Sequence, residues 1–282
     1  MTAAERIGGL VELTRPANAV AAGVLPVVGA VVAVDAPGPD SAVRIAVASA
    51  VTVLATAAGM AINDYFDREI DRVNAPDRPI PRGAVSPRGA LSFSGLLFLA
   101  AVGLTLWLPP LAVAIAVVNL LALVAYTELF KGLPGLGNAL VAYLVGSAFL
   151  FGGAAVGSPG TSAVLAALAG LSTLAREVVK DVEDVAGDRE EGLRTLPIAV
   201  GERPALVVAA VASGLAVLAS PVPYLQGTFG VAYLALVVPA DAVMVYATAR
   251  SFDDATAGQS LLKYGQFIAT VAFVAGRAEL LL

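Results

Sequence analysis

Long uncharged stretches alternate with short, charge-dense ones along this chain. The uncharged runs cover 16–34, 45–63, 89–127, 132–175, 204–240 and 264–276. A bilayer core of about 30 Å takes roughly 20 helical residues to cross, so 89–127, 132–175 and 204–240 are each too long for a single span. Each must fold back, and each holds a breaker where it needs one: Pro109-Pro110, Gly157-Ser158-Pro159-Gly160 and Ser220-Pro221-Val222-Pro223. The pattern predicts an all-α membrane protein of nine transmembrane helices, over about 16–34, 43–63, 89–107, 111–128, 137–156, 162–180, 204–220, 227–249 and 263–281. They form one bundle capped by loops on one side, and the whole of 1–282 is a single integral-membrane domain.

Composition agrees with the pattern. Hydrophobic residues make up 58% and charged residues 14%, and mean hydropathy is +0.84, values that belong to the membrane class. With the amino terminus in the cytoplasm, all 17 Lys and Arg residues except Arg44 and Arg277 fall on or at the border of the cytoplasmic side. This predicts a multi-pass protein of the cell membrane. Cys and His are both absent, which excludes disulfides, thiolate nucleophiles, haem ligation and imidazole bases. The formal charge of −5 says little about partners, because the acids are concentrated. Nothing calls for nucleic acid or an obligatory protein partner.

Two acidic clusters sit at the ends of apolar segments: Asn63-Asp64-x-x-Asp67-x-x-x-Asp71 and Glu177-x-x-Lys180-Asp181-x-x-Asp184-x-x-x-Asp188. On a helix Asn63, Asp67 and Asp71 share one face, as do Glu177, Asp181, Asp184 and Asp188. Carboxylates cost free energy near lipid and repel one another, so the clusters call for a compensating cation. Oxygen-only ligands favour Mg²⁺, which completes its shell with water and substrate phosphates. Two facing acidic helices make a cradle for a Mg²⁺-diphosphate. Asn63, Asp67, Asp71, Asp184 and Asp188 are the candidate ligands, and Asp64 can replace or support one of them. Solvated helix ends are the plain alternative for either cluster alone.

The segments that follow the clusters are alike. Asp67-x-x-x-Asp71-Arg72, Arg78, Pro81 and Ser86-x-Arg88-x-Ala90-Leu91 recur as Asp184-x-x-x-Asp188-Arg189, Arg194, Pro197 and Gly201-x-Arg203-x-Ala205-Leu206. This order suggests two related acidic-helix, basic-loop units facing one pocket. Arg72, Arg78, Arg82, Arg189, Arg194 and Lys131 are candidate phosphate contacts or, alternatively, positive-inside anchors. Pro79 and Pro81 stiffen the loop that presents Arg78 and Arg82. Lys180 fits either a phosphate or an ion pair. Asp241, inside a span, should face the bundle or a wet cavity, and Asn18, Asn119 and Asn138 suit hydrogen bonds between helices.

With Thr14-Arg15-Pro16-x-Asn18, both Asp motifs, Arg78-Pro79-x-Pro81-x-Gly83, Tyr126 to Lys131 and Gly137-Asn138 in order, the chain resembles the UbiA-type intramembrane prenyltransferases over nearly its whole length. The resemblance implies a bundle around a prenyl-diphosphate cavity. Asn63, Asp67, Asp71, Asp184 and Asp188 would hold two Mg²⁺ ions bridging an isoprenyl diphosphate, with Lys131, Arg72 and Arg78 on phosphate oxygens. Asp181 and Glu177 would stand near the acceptor, and Arg82, Tyr126, Asn138, Lys180, Arg194 and Asn18 would also contact substrate. The second motif, Arg176 to Asp188, is most similar to the archaeal branch that makes digeranylgeranylglyceryl phosphate, so a lipid-like anionic acceptor is expected. An aromatic quinone precursor or a porphyrin side chain is the alternative acceptor. A secondary transporter or cation channel is the alternative of another class, but its charges should lie near the midplane or along a path, whereas these crowd one border.

Overall fold

The computed structural model of the chain describes residues 3–34, 38–126, 130 and 132–281, and among these residues the regular structure is helical. The long helices are α2 (Pro16–Ala33), α3 (Pro39–Phe66), α5 (Pro87–Thr105), α6 (Pro110–Ala125), α7 (Leu136–Ala155), α8 (Pro159–Glu183), α11 (Glu202–Ala219), α13 (Val231–Arg250) and α14 (Ala255–Leu281). Short ones lie between them: α1 (Ala3–Leu13), α4 (Arg68–Asn74), α9 (Val185–Glu190), α10 (Leu196–Val200) and α12 (Val222–Leu225). Helices α2, α3, α5, α6 and α8 begin on proline, whose fixed φ suits the first turn, where its missing N–H would go unused. The predicted breakers therefore act as helix starts as well as stops.

Among the described residues seven segments are long and apolar enough to cross a membrane: α2, α3, α5, α7, α8, α13 and the stretch Glu202–Leu225 spanning α11 and α12. This is fewer than the nine expected. Helix α6 is apolar but has only 16 residues, while α14 has 27 residues diluted by Gln259, Lys263 and Gln266. Helix α14 also starts earlier than hydropathy predicts, because Asp254 accepts a hydrogen bond from the Ala257 backbone N–H at 3.0 Å and caps the first turn. The charged connections are not plain loops, for α4, α9 and α10 fold within them.

The helices form two groups. Helices α3, α5, α6 and α7 pack in chain order around Ala48, Val51, Ala101, Ala112, Phe151 and Ala155, and α8, α11, α13 and α14 around Ala175, Val179, Ala205, Ala209, Ala212 and Ala247. Helices α7 and α8 pack directly on each other, and α2 touches α3, α7, α8 and α14. Alanine is the commonest buried hydrophobic residue, while Leu96, Leu99, Trp107, Leu121, Leu218 and Phe267 lie on the outside. Lipid is as apolar as leucine, so large side chains gain nothing by turning inward and small ones let backbones approach. Asp241 is satisfied inside the bundle, accepting from Ser220 Oγ at 2.6 Å, while Tyr233 Oη donates to the Ser220 carbonyl at 2.6 Å.

The α2–α7 crossing depends on two glycines. A Cβ on Gly29 would run into the Phe149 carbonyl, and one on Gly152 into the Pro26 carbonyl. Gly152→Leu should therefore lower the thermal midpoint in detergent by about 5 °C or more. Gly160→Ala, with open space around it, should leave it within about 1 °C. Size-exclusion recovery after heating reads both, and equal midpoints would contradict the close crossing.

Candidate active site

Helix α3 does not run unbroken through its acidic motif. Asp67, with φ −78° and ψ 0°, ends α3 and opens α4, yet Asp67 N–H donates to the Asn63 carbonyl and Asp71 N–H to the Asp67 carbonyl, both at 2.8 Å. The α-helical spacing thus survives a single-residue break. The second motif does the same: Asp184, at φ −90° and ψ 2°, separates α8 from α9, and Asp184 N–H reaches the Lys180 carbonyl at 3.0 Å and Asp188 N–H the Asp184 carbonyl at 2.9 Å. Ser86 and Gly201, equivalent in the sequence repeat, both stand at the N-cap position of the helix that follows, with a side-chain cap bond at Ser86 alone. The two copies therefore match in backbone at their Asp corners as well as in residue order.

At the first end, Asp64 and Asp71 are 4% and 5% exposed, which two carboxylates tolerate only with cations beside them. Arg78 Nη1 donates to Asp71 Oδ2 at 2.6 Å and stands 3.7 Å from Asp64 Oδ1. Arg15 Nη2 donates to Asp64 Oδ1 at 2.7 Å. Partial burial would lower the Arg78 pKa, but the hydrogen bond to Asp71 and the charges of Asp64, Asp71 and Asp67 outweigh this and raise it. Arg78 is thereby held as a fixed cation. Arg82 bonds the Asp77 carbonyl and Glu12 of α1, tying the loop to the amino-terminal helix. Arg72 is turned to solvent, paired with Glu69. Asn18 is exposed in the first turn of α2.

The second end holds a small polar pocket. Tyr126, Asn138, Glu177, Lys180 and Asp181 line it together with Thr195. Asn138 Nδ2 donates to Asp181 Oδ2 at 2.8 Å, and Glu177 is held by Arg176 at 3.1 Å and Lys180 at 3.6 Å. Partial burial pushes the Asp184 carboxyl above its ordinary pKa, Lys180 pulls the other way, and Glu183, Asp188 and Glu177 push it further. Arg194 is exposed, but its backbone N–H donates to the Gly132 carbonyl at 3.1 Å, joining this motif to the α6–α7 connection. Lys131, on that connection, lies outside the described residues.

Tyr126 belongs to the pocket at the second end and also feels a charge from the first. Glu177, Asp181 and Asp188 on one side and Asp67 on the other all act on its hydroxyl through space. Below the pocket, the same faces of α7 and α8 continue one turn on as Val145 and Phe149 and as Thr173 and Ala169, the lining of a mostly apolar cavity of about 280 Å³. No three acidic side chains among the described residues stand close enough to cage an ion by themselves. An oxygen-only, partly open donor set of this kind fits a small hard cation that brings water and substrate phosphates to complete its shell.

Two contributors were not singled out from the sequence. Arg15, at the turn from α1 into α2 and directly before Pro16, is the one non-glycine among the described residues with positive φ, at 42°, and its guanidinium pairs with Asp64, 49 positions away. Thr195 enters the pocket because α10 follows it, and no charge or spacing signals this. The Arg15–Asp64 pair makes a stability prediction. Arg15→Ala should destabilise by on the order of 1–3 kcal/mol, and the further change Asp64→Asn should restore part of that loss by removing the stranded charge. Thermal denaturation of the single and double variants measures the coupling, and additive losses would mean the pair is not coupled.

Residues 23–271 match the description of the UbiA prenyltransferase family. The chain is 64% identical over 274 residues to the digeranylgeranylglyceryl phosphate synthase of Natronomonas pharaonis, covering 97% of this chain and 98% of the relative. Among solved structures, it superposes on one of a digeranylgeranylglyceryl phosphate synthase with a TM-score of 0.87 and 34% identity, covering 98% of this chain and 99% of the other. It also shares its fold with a UbiA homologue from Archaeoglobus fulgidus bound to GPP and Mg²⁺, with a TM-score of 0.74 and 17% identity, covering 96% of this chain and 98% of the other.

Proposed function

We propose, from the premise that the chain belongs to the UbiA prenyltransferase family, that it transfers a geranylgeranyl group from its diphosphate to geranylgeranylglyceryl phosphate, forming an ether. The observation that carries this reading is a pair of acidic helix ends of the same backbone plan, one set with Arg78 and the other lining a polar pocket whose helices continue into an apolar cavity. The acceptor is suggested by the 64% identity to a digeranylgeranylglyceryl phosphate synthase over 97% of the chain.

In this reading Asn63, Asp67, Asp71, Asp184 and Asp188 hold two Mg²⁺ ions. When bound, Mg²⁺ offsets the charge that builds on the departing diphosphate. Arg78, oriented by Asp71 and Asp64, presents a fixed guanidinium to phosphate oxygens, and Lys131 and Arg72 add phosphate contacts. Asp64 serves by orienting Arg15 and Arg78, with direct ligation left to its neighbours. The isoprenoid chain lies along the α7–α8 faces in the apolar cavity, where exclusion of water protects the allylic cation. Lys180 holds the acceptor phosphate, and Asn138 and Asp181 face its glycerol. As the allylic C–O bond breaks, the acceptor hydroxyl oxygen bonds to carbon 1. Its proton leaves to a carboxylate outside the metal set or to the released diphosphate.

We place the site at the cytoplasmic face of a single membrane domain, with α6 and α14 completing nine spans. The concentration of Lys and Arg on the side of the Asp motifs supports this orientation. The chain contains no cysteine, so Gly38→Cys, Gly160→Cys and Glu190→Cys can each be labelled singly with an impermeant thiol reagent. Gly38 and Gly160 should react from the outside and Glu190 from the inside; labelling of all three from one side would overturn the topology.

For the chemistry, Asp67→Asn and Asp184→Asn should each reduce turnover by about a hundredfold or more, since each removes a charge that sustains electrostatic catalysis. Chelation of divalent ions should abolish the wild-type reaction. Folded protein given geranylgeranyl diphosphate, Mg²⁺ and a mixture of geranylgeranylglyceryl phosphate, 4-hydroxybenzoate, homogentisate and dihydroxynaphthoate should yield the diether phosphate by mass spectrometry. An aromatic product in its place would reassign the acceptor, and normal turnover in both variants would exclude the two-cluster site.

A further inference from the structure

Thr195 occupies the N-cap position of α10 but does not act as a cap: no cap hydrogen bond forms from its side chain. A threonine there ordinarily accepts from the backbone N–H two or three residues on, and the residue two on is Pro197, which has no N–H to give. The hydroxyl is turned elsewhere. Thr195 is 6% exposed, its Oγ1 has no hydrogen-bond partner among the described residues, and the residue lines the polar pocket beside Asn138, Lys180 and Asp181. The neighbouring groups are engaged, Asn138 with Asp181 and Glu177 with Arg176 and Lys180. Thr195 thus brings to the pocket a donor and two lone pairs with no partner among the described residues.

A buried hydroxyl without a partner costs stability, and such groups mark places where something else completes the hydrogen bond. Among the described residues that line the pocket the cation is Lys180, whose ammonium is a point charge with no directional fork. A hydroxyl beside it adds direction, fixing one oxygen of an anionic group that the ammonium attracts. We propose that Thr195 is a binding residue for the acceptor, its hydroxyl donating to an oxygen of the phosphorylated glycerol head that Lys180 holds. This assignment rests on the reading above, in which the pocket receives the acceptor and the Asp-rich ends with Arg78 receive the diphosphate. The backbone link from Arg194 N–H to the Gly132 carbonyl holds the Thr195 loop against the α6–α7 connection, so the hydroxyl stands on a braced segment.

The test compares full-length wild type, Thr195→Val and Thr195→Ser in lipid nanodiscs, titrating geranylgeranylglyceryl phosphate and geranylgeranyl diphosphate separately. Thr195→Val keeps the volume and removes the hydroxyl. It should raise KM for the acceptor by about tenfold while leaving KM for the diphosphate within about twofold, and Thr195→Ser should restore the acceptor KM. Without substrate, the thermal midpoint of Thr195→Val should equal or exceed that of wild type, because a group with no partner has been removed. An unchanged acceptor KM, an equal rise for both substrates, or a lowered midpoint with neither KM moved would each overturn the assignment. If wild type forms no diether phosphate, the functional reading falls and the assignment with it. If wild type is active and Thr195→Val is indistinguishable from it, the assignment alone falls.

Discussion

The chain of opposite charges Arg15–Asp64–Arg78–Asp71 is the interaction on which the first half of the site depends. It joins the start of α2, the end of α3 and the loop after α4 through contacts of 2.7, 3.7 and 2.6 Å, and two of its members are almost completely buried. Removing either cation would leave an uncompensated carboxylate at the edge of an apolar bundle, where desolvation is costly. Arg15 stands at the turn from α1 into α2, in the left-handed region just before Pro16. Arg82 adds an outer clasp to Glu12. The result is a guanidinium whose position is fixed before any ligand arrives, which is what electrostatic stabilisation of a departing anion requires.

The second half has the same backbone plan and a different electrostatic state. Asp67 and Asp184 each mark a one-residue break between a long helix and a short one, so related segments set both carboxylate rows at the same kind of corner. Yet the buried carboxylates of the first half are held by arginines, while Asp184 sits among Glu177, Glu183 and Asp188 with Lys180 as the opposing charge. The pair of ends is therefore asymmetric, one preset by guanidinium groups and the other carrying more unbalanced negative charge. A family that joins an anionic donor to a second substrate has use for both.

Packing supports this arrangement from below. Helices α7 and α8 carry polar residues at the level of the Asp motifs and apolar ones a turn further in, and both levels face the same interior space. The α2–α7 contact, close enough to exclude a Cβ at Gly29 and Gly152, fixes α7 and with it Asn138. The network of Tyr233, Ser220 and Asp241 satisfies an acid within α13 and keeps it from destabilising the far end of the bundle.

The sequence by itself determined the helical class, the breakers between helices, the repeat and the residue types of the two Asp motifs. Each is local: a run length, a proline, a charge at a fixed offset. It determined span number less well, because α6 is short and α14 mixes apolar with polar residues, so hydropathy and helix extent part company there. It could not determine which face of each helix turns inward, since large apolar side chains are as well placed against lipid as against protein. Which charges meet was decided only by tertiary structure. Arg15 with Asp64, Asn138 with Asp181, and Thr195 in the pocket all join positions distant in the chain, whereas Arg72, adjacent to Asp71 in sequence, points to solvent beside Glu69. Proximity along the chain specified the acidic ends, and the folding of α2 and α7 against α3 and α8 specified what they act on.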